Sequence, residues 1–206
     1  LLIWLQGGPG CSSMLGNFYE LGPWLVTSNV SVKHNPGAWN RIFGVLFIDN
    51  PIGTGFSIAA SLQEIPRNQH DVAKHLFIAI KKFIKLDDMF KTRPIYVTGE
   101  SYAGKYVPAL GYYILKKNAI LPVSSRVNLA GVAIGKGLTD PATPTATYSV
   151  NAYYSGFIND KQKKILENLQ KNAVELTPNG NWTQASYARG TVVQTLLDMT
   201  GFVSVY

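Results

Sequence analysis

Ser101 lies in the run Gly99-Glu100-Ser101-Tyr102-Ala103-Gly104, a spacing that suits a nucleophilic serine. A serine at a sharp strand-to-helix turn presents its hydroxyl above a sheet, and the residues two before and two after it must be small. Gly99 and Ala103 meet that requirement. The helix that follows would set its free N–H groups and positive dipole end beneath the serine, which favours an oxyanion. The backbone N–H of Tyr102 is placed to donate to that oxyanion. The plain alternative is a serine that only caps the helix. A second run, Gln6-Gly7-Gly8-Pro9-Gly10-Cys11-Ser12-Ser13, reads as a glycine-rich loop after an early strand. Enzymes with such a serine turn place their other oxyanion donor there. Glycine is needed because a side chain would keep the scissile carbonyl away from the backbone N–H. The plain alternative is a tight turn, and a phosphate loop fits poorly because no Gly-Lys-Ser/Thr stands at the right spacing.

The elements that must hold these groups follow from hydrophobic patterning. Residues 1–6 form an apolar run that ends at the glycine loop, and a β-rich run over 44–49 ends at Asn50-Pro51. Residues 68–86 carry Val72, His75, Leu76, Ala79, Ile80 and Phe83 three or four apart, which predicts an amphipathic helix. A strand over 94–98 stops at Gly99, a helix is expected over 103–117, and a further strand over 128–134. Strands alternating with helices predict an α/β fold with a mostly parallel sheet, and the near-continuous apolar runs predict a sheet covered on both faces. Residues 1–138 are therefore assigned to an α/β core. Residues 139–206 open on a Pro- and Thr-rich linker and continue as helices over 160–176 and 186–199, expected as a helical cap or insertion.

The formal charge is +7, from 19 Lys and Arg against 12 Asp and Glu, but the positive residues are scattered. The densest group, Lys81, Lys82 and Lys85, is the solvated face of the first helix, and no nucleic-acid motif accompanies it. No apolar run approaches the roughly 20 residues that span a bilayer, so no membrane partner is expected. The residue types call for no metal and no cofactor. Cys11 is the one cysteine, either a small buried apolar residue or half of a disulfide. The sequons Asn29-Val30-Ser31 and Asn181-Trp182-Thr183 make Asn29 and Asn181 candidate glycosylation sites and point to the secretory pathway. The chain opens on Leu1, inside an apolar run and without Met, and is expected to be part of a longer protein.

Blocks along the chain resemble the serine carboxypeptidases in their order. They are Trp4 to Ser13, Glu20-Leu21-Gly22-Pro23, Phe47 to Ser57, Gly99 to Pro108 and Gly131 to Pro141. The resemblance covers residues 1 to about 160, thins beyond, and is nearest to the plant serine carboxypeptidase-like and the vitellogenic-like or retinoid-inducible branches. It implies an α/β-hydrolase fold, of which this chain would hold the N-terminal part and the start of the cap. It implies that Ser101 attacks the last peptide bond of a peptide or protein C-terminus, with Gly8 and Tyr102 as oxyanion donors. Gln6, Gly7, Glu20 and Glu100 would grip the substrate's free carboxylate. Three carboxylates at close range cannot all ionise, so the glutamates must share a proton, and hydrolysis is expected to be best at acidic pH. The resemblance also implies a disulfide from Cys11 to a cysteine outside the chain, and a vacuolar, lysosomal or extracellular location.

Three departures qualify the resemblance. Most members carry Asn where this chain has Gln6, which adds a methylene, and Lys136 stands where Asn is usual. The family order is Ser, Asp, His, yet His34, His70 and His75 all precede Ser101. The triad Asp and His are therefore expected outside this chain. The rivals are a carboxypeptidase-like acyltransferase and an inactive truncated product. Plant acyltransferase relatives tend to carry Asp before the serine and Ser after the tyrosine, so Glu100 and Ala103 favour the peptidase.

Overall fold

Apolar runs too short to be helices pair as strands in the computed structural model, which describes residues 1–203. β1 (Leu2–Leu5) leads into the glycine loop. β2 (Trp24–Val26) and β3 (Val32–His34) form a separate antiparallel hairpin. Next come β4 (Val45–Phe47), α1 (Gln69–Ile84), α2 (Met89–Thr92), β5 (Ile95–Glu100), α3 (Ala103–Ile120) and β6 (Leu129–Gly135). The main sheet is all parallel, in the order β4-β1-β5-β6. The expected α/β class therefore holds.

Side chains alternate across the sheet with period two. Ile3, Leu5, Ile95 and Val97 form one core with Val72, Leu76 and Ile80 of α1 and Tyr106, Val107 and Leu110 of α3. Burying each of these aliphatic side chains contributes about 1.5–3 kcal/mol. The buried stripe of α1 is rotated from the expected one: Ala73, Phe77 and Ile84 are buried, Ala79 is exposed, and His75 and Phe83 are half-buried. Asn68 starts α1 by accepting the Asp71 N–H at 2.9 Å, an N-cap bond.

Coverage of both faces does not hold within the described residues. Opposite the helices, Leu2, Tyr96, Thr98 and Ala133 border an open apolar recess of about 660 Å³ against residues 37–43. Tyr96 is 45% exposed on this face, and β6 ends the strand order, with Val132 50% exposed on the helix side. The apolar run of β6 is therefore an edge strand here. His34, expected in a loop, ends β3 and meets the Trp24 ring edge-on at 5.8 Å.

A second compact unit begins at Asp140. The expected linker is partly helical, as α4 (Ala142–Thr145) and α5 (Tyr148–Tyr154). α6 (Asp160–Glu175) opens with a reciprocal capping box between Asn159 and Gln162. α7 (Trp182–Thr200) begins before the expected residue 186 and ends at Gly201, whose φ of 70° suits a glycine cap. Ala152, Ile158, Leu166 and Val192 form this unit's core. Buried Gln170 ties α6 to the chain before it, accepting the Ser149 N–H and donating to Ala146 O at 2.9 Å. No described helix is long and apolar enough to cross a membrane.

Candidate active site

β5 ends at Glu100, the chain turns at Ser101, and α3 begins at Ala103. Ser101 has φ of 58°, a left-handed conformation that costs a non-glycine residue about 1–2 kcal/mol. The turn closes because its flanks are small. A Cβ on Gly99 would stand 2.6 Å from the Ala103 Cβ and 2.4 Å from Leu5 O. The loop after β6 clamps the same turn: Ser101 N–H donates to Gly135 O at 3.1 Å, and Leu138 N–H donates to Ser101 O at 2.8 Å. Lys136 of that loop has φ of 42°, also left-handed. Asparagine tolerates this region better than lysine, which gives a physical reason for the Asn usual at this position.

The glycine loop presses directly on the serine turn. A Cβ on Gly7 would stand 2.5 Å from Tyr102 N and 2.9 Å from the Ser101 Cβ. Cys11 N–H donates to Gly7 O at 3.1 Å and Gln6 N–H to Ser13 Oγ at 3.1 Å, closing the loop at its base. Burial pushes the Tyr106 hydroxyl of α3 up to about 12, against the opposing pull of the Gly10 backbone. The N–H groups of Gly8 and Tyr102 donate to no acceptor among the described residues. Two unpaired donors thus stand on adjoining segments next to Ser101.

Gln6, Glu20 and Glu100 come together beside this turn. Register does part of the work: Leu5 pairs with Gly99 in the parallel ladder, so Gln6 and Glu100 follow side by side. Gln6 Nε2 donates to Glu100 Oε2 at 3.1 Å and to Glu20 Oε1 at 3.4 Å. The extra methylene of glutamine is thereby accommodated, since one amide reaches both carboxyl groups. Trp4 Nε1 donates to Gln6 Oε1 at 2.8 Å and fixes which end of the amide faces the glutamates. Glu20 ends a single π-helical turn, Gly16–Glu20. Gly16 must be glycine, because a Cβ there would lie 2.3 Å from Trp4 Nε1. Buried Asn35 pins the following turn, donating to Gly22 O at 2.9 Å and Glu20 O at 3.2 Å.

The Glu20 carboxyl is pushed up to about 7. Burial is the largest cause, followed by the Glu100 charge and a hydrogen bond with Glu100, while the Gln6 amide opposes the shift. Its folded pKa lies above its unfolded one. Its contribution to stability is therefore fully present below about 4.5 and is lost as pH rises through about 7.

The remaining candidates lie apart from this cluster. Cys11 is an unbonded, half-buried thiol in the glycine loop. Asn29 is exposed at the β2–β3 turn, and its Oδ1 accepts the Ser31 hydroxyl at 2.8 Å. Asn181 is exposed just before α7. His70 meets the Tyr113 ring at 5.4 Å, and the buried Nδ1 of His75 has no partner. No group of three His, Cys, Asp or Glu among the described residues could hold a metal ion. Trp4, Ser13 and Asn35 were missed from sequence. Only Trp4 left a signal, standing two residues before Gln6 and thus on the same strand face.

A family model described as serine carboxypeptidase matches residues 1–202. The chain is 56% identical to serine carboxypeptidase-like 50 of Arabidopsis thaliana over its whole length, which is 46% of that protein. It is 40% identical to the human probable serine carboxypeptidase CPVL over 90% of this chain and 38% of that one. The solved prohormone-processing carboxypeptidase Kex1Δp of Saccharomyces cerevisiae superposes with a TM-score of 0.79 at 32% identity, over 97% of this chain and 44% of that one. The chain thus spans about half the length of the curated relatives it matches.

Proposed function

Because the chain belongs to the serine carboxypeptidase family and carries the N-terminal part of an α/β-hydrolase fold, we propose that the full-length protein releases C-terminal residues from peptides at acidic pH. The observation that carries this is the convergence of Gln6, Glu20 and Glu100 on one side of the strained Ser101 turn. Ser101 Oγ is the nucleophile. It adds to the carbonyl of the last peptide bond, and the N–H groups of Gly8 and Tyr102 receive the oxyanion. A serine hydroxyl needs a base to be nucleophilic. His34, His70 and His75 all precede Ser101, His34 meeting Trp24, His70 meeting Tyr113 and His75 lying within α1, so the base and its orienting acid are assigned to the part of a full-length protein that this chain does not span. The second unit is assigned as the start of a cap.

Gln6, Gly7, Glu20 and Glu100 hold the substrate's terminal carboxylate. While Glu20 keeps its proton it offers an O–H donor to the substrate's carboxylate. Once Glu20 ionises, that donor is lost and its charge opposes the carboxylate. The test uses a full-length protein and an N-blocked dipeptide, with the same peptide as its C-terminal amide. Cleavage of the free acid and not the amide is expected at pH 5. KM for the acid should rise about tenfold per pH unit above about 7. Glu20→Gln should flatten that rise. A flat KM between pH 5 and 8 would sink the shared-proton account. Turnover of an acyl-glucose donor with no dipeptide cleavage would make the protein an acyltransferase.

The same reading places the protein in the secretory pathway, with Cys11 pairing outside this chain and Asn29 and Asn181 as glycan acceptors. In Asn29-Val30-Ser31 the sequon hydroxyl already contacts the amide that would be modified. Full-length protein from a secretory host should lose one glycan's mass on Asn29→Gln. An unchanged mass would count against modification at this turn.

A further inference from the structure

Asp49 is a charged residue that none of the foregoing chemistry uses, yet it is only 8% exposed. It has no cationic partner among the described residues, and hydrogen-bond donors surround its carboxyl group instead. Oδ1 accepts the Ser12 hydroxyl at 2.6 Å and the Ser13 N–H at 2.7 Å, and Oδ2 accepts the Phe56 N–H at 2.8 Å. Its backbone oxygen accepts the Ser57 hydroxyl at 2.7 Å. Gly55 allows the chain to wrap this group, since a Cβ there would lie 2.2 Å from Oδ2.

We propose that Asp49 is a positioning residue that sets the height of the glycine loop, and with it the Gly8 N–H, against the serine turn. The inference rests on Gly8 serving as an oxyanion donor. The incoming leg of the loop is continuous with β1 and lies against Tyr102. The outgoing leg, Ser12 and Ser13, is tied by the Asp49 carboxylate and by Ser13 Oγ, which donates to Ile48 O at 2.6 Å. Gly8 hangs between the two legs. A carboxylate suits this place because it is acceptor-only and can take donors on both oxygens. An asparagine would turn an N–H toward either the loop or Phe56, leaving a donor against a donor. The carboxylate grip meets this brace only through the Gln6 N–H bond to Ser13 Oγ, because the side chains of Gln6, Glu20 and Glu100 are held by Trp4, strand register and Asn35. Loss of the brace should therefore show in kcat and hardly in KM.

The test uses full-length protein with Asp49→Ala, Asp49→Asn and Ser57→Ala. Asp49→Ala is expected to lower kcat on the blocked dipeptide about 100-fold, the scale of one lost oxyanion donor, with KM within about threefold. Asp49→Asn keeps an acceptor for one side and should recover part of the loss, to about tenfold below wild type. Ser57→Ala touches only the backbone oxygen and should stay within about threefold. Amide hydrogen exchange over residues 7–13 should speed up in Asp49→Ala, while exchange in β5 and α3 stays unchanged. A kcat within threefold of wild type in Asp49→Ala overturns the proposal. So does exchange that rises equally throughout the sheet, since Asp49 would then stabilise the core in general. If Asp49→Ala does not fold, Asp49→Asn and Ser12→Ala carry the same comparison. A wild-type protein that leaves the dipeptide intact refutes the peptidase reading instead, while the exchange experiment still reports on the brace.

Discussion

Ser101→Ala in the full-length protein is expected to lower kcat by about a million-fold, the loss that follows removal of the nucleophile from a comparable serine triad. Loss of the Oγ removes the only atom at the turn able to form the acyl intermediate. The Gly8 and Tyr102 donors and the carboxylate grip remain, so affinity for a blocked dipeptide should change little. A serine-reactive phosphonate should label wild-type protein at residue 101 and leave Ser101→Ala unlabelled. Labelling at another serine would remove Ser101 from its assigned role. The backbone adds a second expectation. With φ of 58°, residue 101 favours glycine over any residue with a Cβ. Ser101→Gly should therefore be more stable than Ser101→Ala by about 1 kcal/mol while being equally inactive. Equal melting temperatures for the two variants would show that the surrounding contacts relieve the strain.

Gly7→Ala is expected to cost at least about 100-fold in kcat. The added methyl group would lie 2.5 Å from Tyr102 N, 2.8 Å from Glu100 O and 2.9 Å from the Ser101 Cβ. Two of these atoms belong to the backbone and the third to the nucleophile, so no flexible side chain can move aside. The loop must retreat by the order of an ångström, and its retreat carries the Gly8 N–H away from that of Tyr102. Gly7 has no left-handed φ, so the effect comes from contact rather than from backbone strain. Steady-state kinetics with a thermal melt decides the matter. A Gly7→Ala protein with near wild-type kcat would mean that the two N–H groups need not converge as described. A large loss in kcat with a small change in melting temperature is the expected pattern.

Much of this site was legible because its requirements are local. Small residues flanking a serine at a strand end follow from the sterics of a tight turn. The contact between Gly99 and Ala103 is that requirement made physical. The same holds for a glycine loop after an apolar strand, and for strands recognisable by length and composition. The hairpin of β2 and β3 escaped notice because three-residue strands carry too little periodicity to stand out. The stripe of α1 was misjudged at Ala79 because an alanine fits a buried or an exposed helix face equally well. Within the described residues the second sheet face is open at Tyr96 and Ala133, because apolar composition reports what a strand can bury, not what lies against it.

Residue chemistry alone pointed to the proposed nucleophile, to the donor segments proposed beside it and to the α/β class that presents them. Each rests on neighbours within a few positions along the chain. Only the tertiary structure decided how Gln6, Glu20 and Glu100 meet and what holds the glycine loop in place. Gln6 reaches Glu100 because β1 and β5 pair with Leu5 opposite Gly99. Glu20 joins them because Asn35 fastens the turn behind it. Asp49 acts on Ser12 and Ser13 only once β4 lies beside β1. Register and packing are properties of pairs of distant segments, and a one-residue slip of either strand would turn these side chains to the other face of the sheet.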